Sequence, residues 1–288
     1  MSQTNFGVII LTYKRPDRVY TYKKLRDQGY TGKIFLLLDD LDPTLPEYRE
    51  IYQDSEIATF TKSDWKDKFD IADNLPTLKG VVYARNAVFG VAKSLGLEYF
   101  LVLDDDYTDF QFRFDNERYY KYKHINNLDA VFGTLLEFYK NSTIKTLTIA
   151  QGGDFIGGGA GSFGKKIFLR RKAMNSFFCS VNRPFEVLGR INEDVNTYVT
   201  HGTRGDLYFT TNLVSLQQKE TQSNAGGLTE QYKDDGTYVK SFYTVMFSPS
   251  SVKICEMGNK NKRLHHLISW KHTTPMILRE GHKKVKNG

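Results

Sequence analysis

The chain has 288 residues, 40% of them apolar and 25% charged, with a formal net charge of +7. These values describe a globular chain long enough to bury a sizeable core, and they exclude a disordered or low-complexity polymer. No apolar run approaches the roughly 18 residues of a membrane span and no signal-like segment opens the chain, so a soluble, cytoplasmic protein with no membrane partner is expected.

The apolar run Phe6 to Thr12 (FGVIILT) has the length and continuity of a strand buried on both faces. Tyr13-Lys14-Arg15-Pro16 ends it, because proline cannot extend a ladder but can open a helix. Asp17 to Gln28 then reads as an amphipathic helix closed near Gly29, and Lys33 to Leu38 as a second buried strand running into Asp39-Asp40. A short helix over Leu45 to Gln53 and a strand over Ile57 to Thr61 follow. Gly80 to Leu95 is a helix stopped by Gly96, and the strand Tyr99 to Leu103 delivers the chain into Asp104-Asp105-Asp106. Alternating strands and helices predict a mostly parallel central sheet covered on both faces. Ligands of such sheets sit beyond the carboxyl ends of the strands, where residues 39–40 and 104–106 fall.

The second half is less regular. The polar and aromatic stretch Gln111 to Lys123 precedes a helix over Leu128 to Lys140 and a strand over Ile144 to Ile149. A glycine-rich segment, Gln151 to Gly164, suits either a flexible loop over a sugar or phosphate, with Asp154 reaching hydroxyls, or a plain connector. It lacks the Gly-Lys-Ser/Thr ending of a Walker loop. From Asn259 onward eight Lys and Arg face one acid, Glu280, and account for the whole net charge. A basic end on a neutral body points to a polyanion, nucleic acid first, or to a solvated tail. Cys179 and Cys255 are too few for a disulfide framework or a cysteine zinc site.

Three aspartates directly after a buried strand repel one another unless a cation relieves them. Mg²⁺ or Mn²⁺ held by one or two carboxylates and diphosphate oxygens is the usual solution, and it neutralises a departing nucleoside diphosphate. A loop capping the next helix is the plainer explanation. The stretch GVVYARNAVFGVAKSLGLEYFLVLDDD, Gly80 to Asp106, resembles the family-2-like glycosyltransferases of the GT-A fold. Ala84-Arg85-Asn86 and Asp104-x-Asp106 match that family's order and spacing, as do FGVIILTYKRPDR and LLLDD for its first two strands.

The resemblance implies a GT-A, Rossmann-like α/β fold in a single domain. Residues 1–110 would bind the nucleotide sugar, 111–258 would bind acceptor and carry the base, and 259–288 would form a basic extension. Thr12, Asp40 and Arg85 would contact the nucleoside, Arg15 the nucleoside or its phosphates, Asp104 the ribose with Asp105 beside it, and Asp106 the metal. Arg15 could instead form a salt bridge on the first helix, and Arg85 could pair with Asp39 or Asp40. An acidic pair downstream supplies the acceptor's base in such enzymes; Asp194 is the candidate, with Glu193 in support, unless both merely cap a helix. A late histidine often ligates the metal, and among His265, His266 and His272 the reading favours His272.

EDVNTYVTHGTRGDLYF, NAGGLTEQY and DGTYVKSFYTVMFSPSSVKI resemble the TET-associated glycosyltransferases of DNA bacteriophages and related elements. That resemblance implies a metal-dependent, inverting hexosyltransferase that carries sugar from a UDP-sugar to hydroxymethylated pyrimidines in DNA, working in the host cytoplasm if viral. Tyr232, Tyr238, Phe242 and Tyr243, with Lys233, Lys240 and Gly226-Gly227, would serve a flipped base and its phosphates. The alternative keeps the enzyme and changes the acceptor to a polysaccharide, lipid or protein.

Overall fold

A computed structural model describes residues 5–73, 77–114, 120–155, 172–218, 239–257, 262–273, 275 and 277–283. Nine strands form one continuous sheet in the order β3-β2-β1-β4-β8-β7-β9-β5-β6, and a separate hairpin pairs β10 with β11. β1 (Phe6–Leu11), β2 (Lys33–Asp39), β3 (Ile57–Phe60) and β4 (Tyr99–Asp104) are mutually parallel. β8 (Ser176–Ser180) runs antiparallel between β4 and β7 (Thr146–Gln151). β7 is parallel to β9 (Tyr208–Gln218), and β5 (Tyr107–Phe114) is antiparallel both to β9 and to the edge strand β6 (Tyr120–His124). Only β8 and β5 therefore oppose the common direction, and the α/β single sheet expected from the sequence stands.

Alternation along the buried strands sorts side chains into two cores, as the period of two requires. Ile9 and Leu11, with Phe100 and Val102, pack under α3 (Val82–Ser94) and α5 (Glu193–Thr203). Val8 and Ile10, with Leu101 and Leu103, pack on the opposite face under α1 (Tyr20–Asp27) and α4 (Leu128–Lys140). α4 keeps its expected bounds because Asn127 caps it, its side chain accepting the Ala130 N–H at 3.0 Å. The short helix α2 (Leu45–Ile51) follows β2.

The helix expected over Asp17 to Gln28 breaks into a 3-10 turn at Pro16–Arg18 and α1. The aromatic stretch after residue 110 is the β5–β6 hairpin arm, and β5 crosses the expected 110/111 division, so both halves share one sheet. Gly152–Phe155 forms a 3-10 turn in which Asp154 accepts the Gln151 N–H at 3.0 Å; residues 156–164 of the glycine-rich segment lie outside the described residues.

The described part of the basic extension is folded. β11 (Arg263–Ile268) pairs with β10 (Val252–Met257), and a short helix, Trp270–Thr273, stacks Trp270 on Tyr198 of α5. Buried His282 bonds the Thr143 carbonyl at 2.5 Å and Asp206 at 3.1 Å, while Arg279 reaches the same carboxylate at 3.3 Å. No helix among the described residues is long and apolar enough to cross a membrane.

Candidate active site

The carboxyl ends of β1, β2 and β4 open on one place, as the parallel register demands. Leu11 lies level with Asp104, so the residues after β1 and β4 meet. Thr12 donates to Asp105 at 2.8 Å and shares a 2.7 Å hydrogen bond with the Tyr48 hydroxyl, which also accepts the Arg15 N–H at 3.0 Å. Arg15 pairs with Asp105 at 3.1 Å, so its partner is the aspartate cluster and not a neighbour on the first helix. Thr21 donates to the Asp104 carbonyl at 2.6 Å, fixing the chain where the strand ends.

Each acid of the triplet has a different environment. Asp104 meets the Arg85 guanidinium at 3.2 Å, and burial lifts its pKa above the ordinary carboxylate value despite that pairing. Asp105 is also raised by burial, with Arg15 and Thr12 pulling the other way. Asp106 accepts from the Gln218 side chain at 3.1 Å through Oδ2, whereas its buried Oδ1 has no hydrogen-bond partner among the described residues. Burial, then the charges of Asp104 and Asp105, push Asp106 up to about 7. Asp40 is held by Thr61 at 2.6 Å through Oδ2, with its own Oδ1 buried and unpartnered among the described residues.

Arg85 sits inside the molecule at 3% exposure and pairs on its other side with Glu193 at 3.0 Å. It does not pair with Asp39 or Asp40; Asp39 is bound to Lys62 instead. Burial opposes the charge on Arg85, but Asp104, Glu193 and Asp194 outweigh it and raise its pKa. Glu193 and Asp194 do open a helix, and they also face Arg85. Burial lifts Glu193 to about 7 against the pull of Arg85. Asp194 is buried, with Oδ1 accepting the Val195 N–H at 2.8 Å.

The turn before α5 is built for this placement. Asn192 adopts a left-handed backbone with φ of 55°, a conformation asparagine tolerates, and its amide donates to the Lys240 carbonyl at 2.7 Å. Gly189 has φ of +80°, and a Cβ there would lie 2.4 Å from the Asn196 side-chain nitrogen. Arg190, fully buried, pairs with Asp73 at 2.8 Å, and Tyr243 donates to the same carboxylate at 2.7 Å. Tyr243 is thus committed to the interior. Phe242 is partly exposed, whereas Tyr232, Tyr238, Lys233 and Gly226-Gly227 lie outside the described residues.

The fold therefore gathers Thr12, Arg15, Arg85, Asp104, Asp105, Glu193 and Asp194 into one network, with Asp106 beside it. His272 is exposed and bonds Ser269 at 3.4 Å. Among the described residues no three His, Cys, Asp or Glu side chains converge as a metal cage. A hard divalent cation still fits at Asp106, whose partnerless buried oxygen and raised pKa both call for positive charge; Mg²⁺-type sites take one or two carboxylates and fill the rest with water and phosphate. Sequence reading missed Tyr48, Gln218 and the Asp73–Arg190–Tyr243 cluster. Gln218 stands 112 positions from Asp106, and only the β5–β9 pairing joins them.

A family model described as TET-associated glycosyltransferase matches residues 6–227. None of the curated proteins matches the chain. Among solved structures, glucosyl-3-phosphoglycerate synthase from Mycobacterium tuberculosis with Mg²⁺ and UDP is similar at TM-score 0.47 and 11% identity, covering 93% of this chain and 88% of that one. The mannosyltransferase PcManGT from Pyrobaculum calidifontis with GDP-Man and Mn²⁺ gives TM-score 0.47 and 10% identity, covering 85% and 65%.

Proposed function

The chain belongs to the TET-associated glycosyltransferase family, and from that premise we propose that it moves a hexose from a UDP-sugar to the hydroxymethyl group of a pyrimidine in DNA, with inversion, in the cytoplasm. One observation carries the reading: acids from β4 and from α5 share one buried guanidinium, that of Arg85, which supports a site with a donor end and an acceptor end. Residues 1–110 would serve the donor and 111–258 the acceptor and base.

In this reading Thr12, Arg15, Asp40, Arg85, Asp104 and Asp105 bind and orient the nucleotide, most of them through the network that already fixes their side chains. Asp106 would hold Mn²⁺ or Mg²⁺, with His272 as a second ligand only if the chain beyond β11 moves toward it. When bound, the cation offsets negative charge gathering on the diphosphate. Asp194 accepts the proton of the acceptor hydroxyl as that oxygen bonds to the anomeric carbon. The bond from that carbon to the phosphate oxygen breaks, and its electron pair leaves with the diphosphate. Glu193 keeps Arg85 in place beside the acids. The family description and the basic C-terminal segment favour DNA over a polysaccharide, lipid or protein acceptor.

The test is incubation with labelled UDP-sugar, Mn²⁺ and DNA containing hydroxymethylcytosine or hydroxymethyluracil, followed by mass spectrometry of the released nucleosides. A nucleoside heavier by one hexose is expected. Label passing only to glycan, lipid or protein would overturn the DNA acceptor, and shortened DNA would point to a nuclease.

A further inference from the structure

The edge of the sheet beyond the site carries an aromatic and cationic strip that the proposed chemistry does not use. Phe110, Val214 and Leu216 face the core under α4. Their neighbours on the strands therefore point to the other face, the one that carries α3, α5, Arg85 and Asp194. Arg113 donates to Ser215 on that face at 2.5 Å. Its guanidinium lies 4.4 Å from the Phe155 ring centre and 5.9 Å from that of Tyr122 on β6. Tyr122 is 65% exposed, and Leu213, two strands away on β9, is 52% exposed. His124, two residues on and on the same face, is exposed and pairs with Asp109 at 2.5 Å, whereas Lys123, level with Phe112, lies on the other face.

A large aromatic ring left in water above a buried arginine matches what an unpaired nucleic-acid strand binds. Bases stack on the ring, and the guanidinium beneath it strengthens the stack. The strip also leads from the site. Asp106 immediately precedes β5 and bonds Gln218 at the end of β9. From Tyr107 to Arg113, level with Tyr122, the strand covers about 20 Å at roughly 3.3 Å per residue. At the duplex spacing of about 3.4 Å that span holds about six nucleotides, and on an extended single strand about three.

Resting on the DNA-acceptor reading, we propose that the acceptor strand runs single-stranded along this edge and stacks a base on Tyr122 about three to six nucleotides from the base that receives the sugar. Arg113 stiffens the platform from beneath.

The test compares the full-length protein with Tyr122→Ala and Tyr122→Trp on two single-stranded oligonucleotides, one of about 20 nucleotides and one of about five, each with a central hydroxymethylated base. Tyr122→Ala should raise KM for the long oligonucleotide about tenfold, the size of one lost stacking contact, with kcat and donor KM unchanged. Tyr122→Trp should restore it. On the short oligonucleotide, which cannot reach the strip, all three proteins should behave alike. An equal loss on both lengths, or no loss on the long one, overturns the proposal.

Fluorescence anisotropy with an unmodified long oligonucleotide separates this inference from the acceptor reading. Wild type binding about tenfold tighter than Tyr122→Ala, with no transfer to any DNA, would sink the acceptor and leave the strip standing. Equal binding by both proteins would reduce the strip to a lysine-guarded edge that merely deters strand pairing, and the proposal falls.

Discussion

Arg85 and Glu193 meet at 3.0 Å although one lies on α3 and the other opens α5, 108 positions later, and both are at least nine-tenths buried. The contact ties the helix before β4 to the turn that carries the proposed base. The same guanidinium holds Asp104 at 3.2 Å, so one cation serves acids from two elements. Removing one member of a buried ion pair leaves the others without compensation, at a cost of about 3–5 kcal/mol. Arg85→Met should therefore lower the unfolding free energy by that amount, read as a lower denaturant midpoint, and abolish transfer. Arg85→Lys should recover part of the stability but little activity, since an ammonium cannot face two carboxylates as a planar fork does. A midpoint unchanged in Arg85→Met would show that the pair contributes nothing to folding.

Asp106 sets a pH dependence whose sign can be worked out. Its pKa stands at about 7 in the folded chain against an ordinary value of 3.8. Between those values the folded state holds a proton that the unfolded state has released, so stability falls as pH rises through this window and levels off above about 7. In the metal-free protein Asp106→Asn should lessen that slope, leaving the part due to Glu193, and be the more stable form at pH 8. Added Mn²⁺ should stabilise wild type most at the alkaline end, where it no longer competes with the proton, and should leave Asp106→Asn unmoved. Thermal melts across pH 5 to 8, with and without Mn²⁺, read both effects. A Mn²⁺ shift of equal size in the variant would place the cation elsewhere.

Asp194→Asn keeps the shape of the side chain and an oxygen for the Val195 N–H, which Asp194 now binds at 2.8 Å. Fold and donor binding should survive, while kcat for transfer drops by about 10²–10⁴, the usual weight of a general base. Glu193→Gln should behave differently, loosening Arg85 and lowering stability as well as rate. Should Asp194→Asn retain full kcat, the base lies elsewhere in the site.

The proposed donor side of this site was legible because its signals are local. A run such as FGVIIL or YFLVL buries on both faces, the acids must then sit at the strand's exit, and Arg85 lies on the helix leading into that strand. The proposed acceptor side was less so. β8 is five residues long, and β9 (YFTTNLVSLQQ) mixes buried threonine and serine with apolar residues, so neither shows a clean period. Buried Thr210 is satisfied by neighbours far along the chain, Thr148 at 2.8 Å and the Lys172 carbonyl at 2.7 Å. His282 shows the same limit. In sequence it belongs to a basic tail, and only the fold reveals Asp206 and Thr143 beside it.

Asp73 and Arg190 give the sharpest separation of scaffold from chemistry. Arg190 is fully buried, anchored to Asp73 at 2.8 and 3.1 Å and to the Lys79 carbonyl at 2.5 Å, and it precedes the Glu193-Asp194 pair by only three residues. Tyr243 completes the cluster through the same carboxylate. Asp73→Ala strands the guanidinium and the phenol together, and several kcal/mol of stability should be lost. Tyr243→Phe removes a single hydrogen bond and should cost only about 1 kcal/mol. Because Arg190 sets the turn into α5, the Tyr243→Phe protein should keep its donor KM and lose kcat modestly, about two- to fivefold, through a less firmly placed Asp194. Denaturant melts and steady-state kinetics on both substrates check this; a rise in donor KM with kcat intact would assign the cluster to the donor side instead.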